Sequence, residues 1–286
     1  MARQPTAKIA LGAVGAALAV TACGVDAGAT QATGKTAGSA KALPVGSAVV
    51  KLDPAEFTTK IDNPYLPLTP GDRRVYRETG PDGTNGRVVV TVARKTKKIA
   101  NGVTARVVRD TLTEAGKGVV EDTFDWYAQD KAGNVWYLGE DTKEYENGKV
   151  KSTAGSFEAG VDGAQAGIAM PAEPKVGLSY RQEYSKGVAQ DAGEVFSLGE
   201  RVEVPLGSFG RVLMTKDTTP LEPKVLEYKF YARNVGEALA LGSPEATSAK
   251  SSSASAAGAR SGDRRGVLRA ALSRRRFALW PSVWRP

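Results

Sequence analysis

Three segments of this 286-residue chain return at a nearly fixed distance downstream. Pro70-Gly71-Asp72-Arg73-Arg74-Val75-Tyr76 is answered by Pro174-Lys175-Val176-Gly177-Leu178-Ser179-Tyr180. Gly102-Val103-Thr104-Ala105-Arg106-Val107-Val108 is answered by Gly207-Ser208-Phe209-Gly210-Arg211-Val212-Leu213. Phe124-Asp125-Trp126-Tyr127-Ala128-Gln129-Asp130 corresponds to Tyr228-Lys229-Phe230-Tyr231-Ala232-Arg233-Asn234, and every offset is 104 or 105 residues. A constant offset of this kind means that one supersecondary unit is used twice, over residues of about 70–138 and 174–236. Within each unit run short alternating stretches cut by Gly, Asn and Asp, and no stretch combines a long helical period with caps. The expected fold is therefore mainly β and antiparallel. Two similar β halves of five or so strands each form one large curved sheet or a sandwich, with few helices.

The clearest hairpin lies in Glu121–Tyr145. Phe124, Trp126 and Ala128 share one face of an extended segment, and Asp125, Tyr127 and Gln129 share the other. Asp130-Lys131-Ala132-Gly133-Asn134 supplies the turn, Val135-Trp136-Tyr137-Leu138 the return strand, and Gly139-Glu140-Asp141 ends it. So many rings in one hairpin serve either cross-strand packing in a β core or an aromatic wall for a ligand. Trp126, Tyr127, Trp136 and Tyr137 are the candidate ligand-binding residues. Further strands are expected at Arg74–Glu78, Arg87–Lys95, Thr104–Thr113 and Lys143–Tyr145 in the first half. In the second they are expected at Leu178–Tyr184, Gly193–Leu198, Glu200–Val204, Arg211–Asp217 and Val225–Ala232. Pro81-Asp82-Gly83 and Ala100-Asn101-Gly102 read as turns, and the Gly- and Ala-rich Ser152–Gly167 as a loop. The Pro-punctuated stretch Phe57–Gly71 cannot be a regular helix and reads as an extended lead-in that lays its Tyr and Leu on the sheet.

The ends differ from the middle. Arg3 and Lys8 precede an apolar run, Ile9–Val20, too short to span about 30 Å of hydrocarbon but suited to the core of a secretory signal. Residues 1–22 are read as that signal, 23–47 as a flexible Gly/Ala/Thr/Ser tether, 48–242 as the β body and 243–286 as a basic tail. The formal charge of +8 is concentrated at the ends. Residues 244–286 hold nine basic against two acidic side chains, whereas residues 24–243 hold 28 against 29. The body is balanced, so no nucleic-acid partner is expected. Three readings of the tail stand side by side: a disordered basic segment, a contact with an anionic membrane or wall, and an out-of-frame extension of a GC-rich gene.

The chain contains no histidine and a single cysteine, Cys23. That removes the commonest general base, the Ser-His-Asp and Cys-His arrangements and the usual nitrogen ligand of zinc. No phosphate-cradling glycine motif is present, and no cofactor, metal ligand or catalytic residue is assigned. Carboxylate chemistry remains, through Glu121, Asp122, Asp125, Asp130, Glu140, Asp141 and Glu144 around the aromatic hairpin. A glycosidase would need two such groups facing each other across a cleft, and a calcium site could draw on Asp130, Asn134, Glu140 or Asp141 without the spacing of a twelve-residue loop.

Val20-Thr21-Ala22-Cys23 resembles the bacterial lipobox, which implies cleavage before Cys23 and lipidation of its sulfur. Two or three acyl chains, at about 0.8 kcal/mol per buried methylene, anchor a protein firmly. The expected location is thus the outer face of a bacterial cytoplasmic membrane, with the membrane itself as a partner through the anchor. Phe124–Glu140, with Ile61-Asp62-Asn63-Pro64-Tyr65 upstream, is similar to a family of uncharacterised secreted bacterial proteins sharing an FDWYAQD…GNVWYLGE core, and that family supplies no catalytic residues. The duplicated β architecture also resembles carriers of the LolA type, whose curved sheet holds an acyl chain. Two functions follow. One is a non-enzymatic cell-surface lipoprotein that binds a lipophilic ligand or an envelope partner, such as a cell-wall component, on a β surface; the alternative is a carboxylate-dependent extracytoplasmic hydrolase. An apolar cavity without paired carboxylates would favour the first, and two acids facing each other across an aromatic cleft the second.

Overall fold

The computed structural model describes residues 42–79, 85–242 and 282–284. The expected signal 1–22, Cys23, most of the tether, the Pro81-Asp82-Gly83 turn and most of the tail lie outside the described residues. In chain order the strands are β1 (Phe57–Thr58), β2 (Arg73–Thr79), β3 (Asn85–Lys98), β4 (Thr104–Glu114), β5 (Gly118–Asp130), β6 (Val135–Glu146), β7 (Lys149–Ser152) and β8 (Phe157–Glu158). They continue with β9 (Gln165–Met170), β10 (Ser179–Arg181), β11 (Glu183–Tyr184), β12 (Ala192–Val204), β13 (Gly207–Thr218), β14 (Leu226–Ala232), β15 (Gly236–Gly242) and β16 (Ser282–Trp284). Among the described residues the one helical element is a 3-10 turn at Pro54–Glu56, capped by the Asp53 carboxylate on the Ala55 N–H.

Every pairing is antiparallel, and the strands form a strongly curled half-barrel sheet and a second sheet. The first contains the meander β2-β3-β4-β5-β6 and continues through β9 to β11; the second is β10-β12-β13-β14-β15. Each half of the sequence thus supplies one five-strand meander. The chain passes between the sheets at Gln182, because β10 pairs with β12 in the second sheet while β11, two residues on, pairs with β9 in the first. Buried Arg181 fixes this crossing: its guanidinium donates to the carbonyls of Ala166, Gly46 and Ala48. It thereby holds residues 42–52 on the body, where Leu43, Val50 and Leu52 pack against a core cluster.

The local elements depart from the sequence reading in three places. The return strand does not end at Gly139. It runs to Glu146 through Gly139 at φ +126°, where a side chain would lie 2.2 Å from the Phe157 carbonyl oxygen, so a glycine lets β8 pair there. The expected loop Ser152–Gly167 holds β8 and the start of β9. A Cβ on Gly167 would stand 2.2 Å from the Gln182 carbonyl oxygen, and small residues in β9 are what close approach at the crossing demands. The second half has a further strand, β15, formed by the Ala- and Gly-rich Gly236–Gly242. Within the tail, Ser282–Trp284 pairs with Arg74–Tyr76 along the edge of β2, and the rest of the tail lies outside the described residues.

The lead-in does lie on the sheet. Ile61, Leu66 and Leu68 are buried with Val88, Val90 and Met170. Asn63 donates to the carbonyls of Gly133 and Pro171, and the Pro64 carbonyl accepts from the Asn234 N–H, so this segment joins the hairpin turns of both halves.

Candidate functional site

Alternation on β5 and β6 decides which residues reach the interior. Trp126, Ala128, Trp136 and Leu138 belong to one buried cluster with Ile168, over which Phe57 lies edge-on to Trp136 at 6.0 Å. The Trp136 indole N–H donates to Asp130, whose carboxylate also accepts from the Asn134 backbone and side chain. Both tryptophans, though candidates for ligand contact, are core residues, and Asp130 and Asn134 are committed to the turn. On the opposite face Asp125, Tyr127, Tyr137 and Glu140 line a cavity of about 220 Å³. Of the four sequence candidates the structure therefore brings two to the cavity, Tyr127 and Tyr137, with ring centroids 5.1 Å apart.

The other wall comes from the second half. Asp125 and Tyr127 correspond, 104 residues on, to Lys229 and Tyr231, and both pairs line the cavity. Tyr127 faces Tyr137 across β5 and β6, and Tyr231 faces Glu237 across β14 and β15, so Glu237 occupies the place of Tyr137. The matched hairpin segments could have revealed Lys229 from the sequence. Glu237 could not be found that way, because the segment after Asn234 has no visible match to Val135–Leu138. Asp110, Glu183 and Asp191 also escaped, since each reaches the cavity only through the strand register or the crossing at Gln182. Conversely Asp122 bonds Arg109 and Asp141 bonds Lys143 outside the cavity.

Eight carboxyl-bearing residues line the cavity against one lysine. The Tyr137 hydroxyl donates to Asp125 at 2.7 Å and lies 3.2 Å from Glu140. Burial, partly offset by this hydrogen bond, pushes the Asp125 carboxyl up to about 7. Glu183 and Asp191 adjoin at the crossing, where the Gln182 and Glu183 N–H groups donate to the Asp191 carbonyl. Burial first, then the charges of Asp191 and Glu140, holds Glu183 well above the usual carboxylate range, while burial opposed by Thr219 takes Asp191 to about 6. Lys229 Nζ sits 3.1 Å from Asp217 and 3.3 Å from Glu227. Burial opposes its charge, yet the two carboxylates more than offset this and keep it protonated. Glu227 is pushed to about 7 and Glu237 well above the usual range, in both cases chiefly by burial. Val188 and Leu221, 43% and 41% exposed, line the same cavity and mark its opening to solvent. Among the described residues no group of three or more Asp, Glu, Cys or His converges as a metal site.

No model of a protein family matches the sequence, and no curated protein matches it. Among solved structures it is similar to one described as an exported protein with a YmcC-like fold, from Bacteroides fragilis. That likeness is 17% identical, covers 64% of this chain and 92% of the other, and has a TM-score of 0.35. A second, described as a lipoprotein from Parabacteroides distasonis, is 13% identical over 62% and 90% of the two chains, with a TM-score of 0.33.

Proposed function

We propose that the chain is a non-enzymatic binding protein, anchored by lipid at Cys23 outside the cytoplasm, that holds a small polar ligand in the chamber between its two sheets. The chamber lining supports this reading. Both halves of the duplication send ionisable and aromatic side chains into one solvent-connected cavity. A core that served stability alone would fill such positions with apolar residues, because buried carboxyl groups lacking full partners are costly. The size of the cavity turns the reading away from the long lipophilic ligand anticipated from the sequence. At about 220 Å³ it lies below the range of about 300–1,000 Å³ typical of sites for drug-sized ligands, so a small guest is favoured over an acyl chain.

Asp125 and Glu140 raise the hydrolase reading, since they face each other on neighbouring strands and share one tyrosine hydroxyl. That hydroxyl argues against it. It occupies the space between the two carboxyls in which a scissile bond would have to lie.

Two measurements test the proposal. Cells labelled with a palmitate analogue should show label on the chain, and Cys23→Ala should lose both the label and the membrane fraction. Native mass spectrometry of the protein purified from its own host should show an added small mass. Glycoside or ester turnover abolished by Asp125→Asn would overturn the binding reading.

A further inference from the structure

We infer that the chamber is a receptor for a small organic ammonium ion, an inference that rests on the binding-protein reading and names its ligand class. Lys229, the one cation in the lining, is already held between Asp217 and Glu227, both almost fully buried behind it. Its charge is therefore balanced before the remaining acids of the lining are considered. An anionic ligand would meet a carboxyl-bearing wall on both sheets, and Lys229 is already engaged.

Glu237 points to a ligand independently of the charge count. It is 5% exposed, lines the cavity, and its Oε1 has no hydrogen-bond partner. A buried carboxyl oxygen left without a donor carries its full desolvation penalty, and an N–H from a ligand would satisfy it. The tyrosines suit the same guest. Tyr127, Tyr137 and Tyr231 present ring surface beside the acids, and a desolvated cation is attracted to the negative face of such a ring. Leu66, Ala169 and Val188 give the cavity an apolar portion for a short alkyl chain. A bare metal ion fits less well, because hard cations need several oxygens converging at about 2.3–2.6 Å and no such group is formed among the described residues.

Binding should be linked to protons. Glu237 faces Lys229, Glu227, Asp217 and Asp110, and Asp125 faces Glu121 and Lys229 with the Tyr137 hydroxyl on it. Burial keeps Glu237 protonated and Asp125 partly protonated near neutrality, and an entering ammonium favours their ionised forms. Protons leave as the ligand enters, so affinity rises with pH until the carboxyls are ionised without help.

The test is calorimetric titration of the full-length chain in detergent solution with 1,4-diaminobutane, 1,4-butanediol and calcium chloride, at pH 5.5 and pH 8 in buffers of different ionisation enthalpy. The diamine should bind once per chain, release protons, and bind at least about tenfold more tightly at pH 8. Glu237→Gln should weaken it by at least about tenfold, and Asp125→Asn provides the same readout should the first variant fail to fold. Butanediol binding as tightly as the diamine, calcium binding that Glu237→Gln abolishes, or a diamine affinity independent of pH would each overturn the ammonium assignment. If the diamine does not bind while native mass spectrometry shows another small molecule, the ammonium assignment falls and the binding reading stands. If neither is seen, both fall.

Discussion

Asp125→Asn should make this protein more stable at pH 8 and leave it nearly unchanged at pH 4. In the folded chain the Asp125 carboxyl is carried from 3.8 to about 7, with burial as the main cause. A carboxyl raised in this way favours folding while it is protonated. Its contribution is complete below about pH 4 and is lost as the pH climbs through about 7. At roughly 1.4 kcal/mol per tenfold change, the full displacement is worth about 4 kcal/mol. The charge of Glu121 adds to the raising of Asp125, and Glu140 faces it across the strands, so removing one of the group relieves repulsion on the others. A gain of about 2–4 kcal/mol at pH 8 follows, and for a body of this size that is roughly 4–16 °C in Tm. Asparagine retains an oxygen that can accept from Tyr137, so the hydrogen bond of the wild type is not forfeited at low pH. The assay is thermal melting by circular dichroism at half-unit steps from pH 4 to pH 8. The wild-type Tm should fall across this range, with the difference between variant and wild type opening above pH 5. Parallel curves would refute the argument, because they would show that Asp125 ionises in the folded chain as easily as in the unfolded one.

Trp136→Ala should cost about 3–5 kcal/mol of stability by opening the cluster beneath Phe57, as chemical denaturation would show, while the ammonium affinity of the surviving folded fraction stays within about threefold. Gly167→Ala should prevent accumulation of folded protein, since its Cβ would meet the Gln182 backbone at 2.2 Å; a soluble variant with the wild-type Tm would contradict the close approach at the crossing. Lys229→Met leaves Asp217 and Glu227 buried without their cation, so urea denaturation at pH 8 should show a loss of about 3–5 kcal/mol. At pH 5 Glu227, whose folded value is about 7, is protonated, and the loss should shrink markedly.

The architecture is legible because it depends on spacing and alternation. The 104–105-residue offset announces two meanders, and the parity of Phe124–Gln129 is enough by itself to put Trp126 and Tyr127 on opposite faces. What the sequence hides depends on close approach and register. Strands β9 and β15 carry little of the β-branched and aromatic signal of a strand: Gly167 has the Gln182 carbonyl against it, and Ala238 and Ala240 are fully buried. The chamber is half hidden for a similar reason. Its first wall can be read from the alternation of one hairpin, whereas Glu183 and Asp191 reach it through the sheet switch at Gln182, which no local pattern records.

The differences between the two matched hairpin segments make the chamber asymmetric. Had the two hairpins kept the same residues, an aspartate at position 229 would face the cavity together with Asp125, adding a further buried acid to a lining that already carries many. Two like charges brought together out of water raise one another and resist folding at neutral pH. At the site matched to Asp125 the second half instead has Lys229, with Asp217 and Glu227 as its counter-charges. At the site matched to Tyr137 it has Glu237 in place of a ring. The first change neutralises the back of the chamber. The second leaves a buried carboxyl oxygen with no donor in a residue that lines the cavity. A fold selected for stability alone would not keep the second change after making the first, because an apolar residue at 237 would pack against Tyr231 at lower cost. The cost at Glu237 is therefore placed where a ligand bearing an N–H donor can offset it.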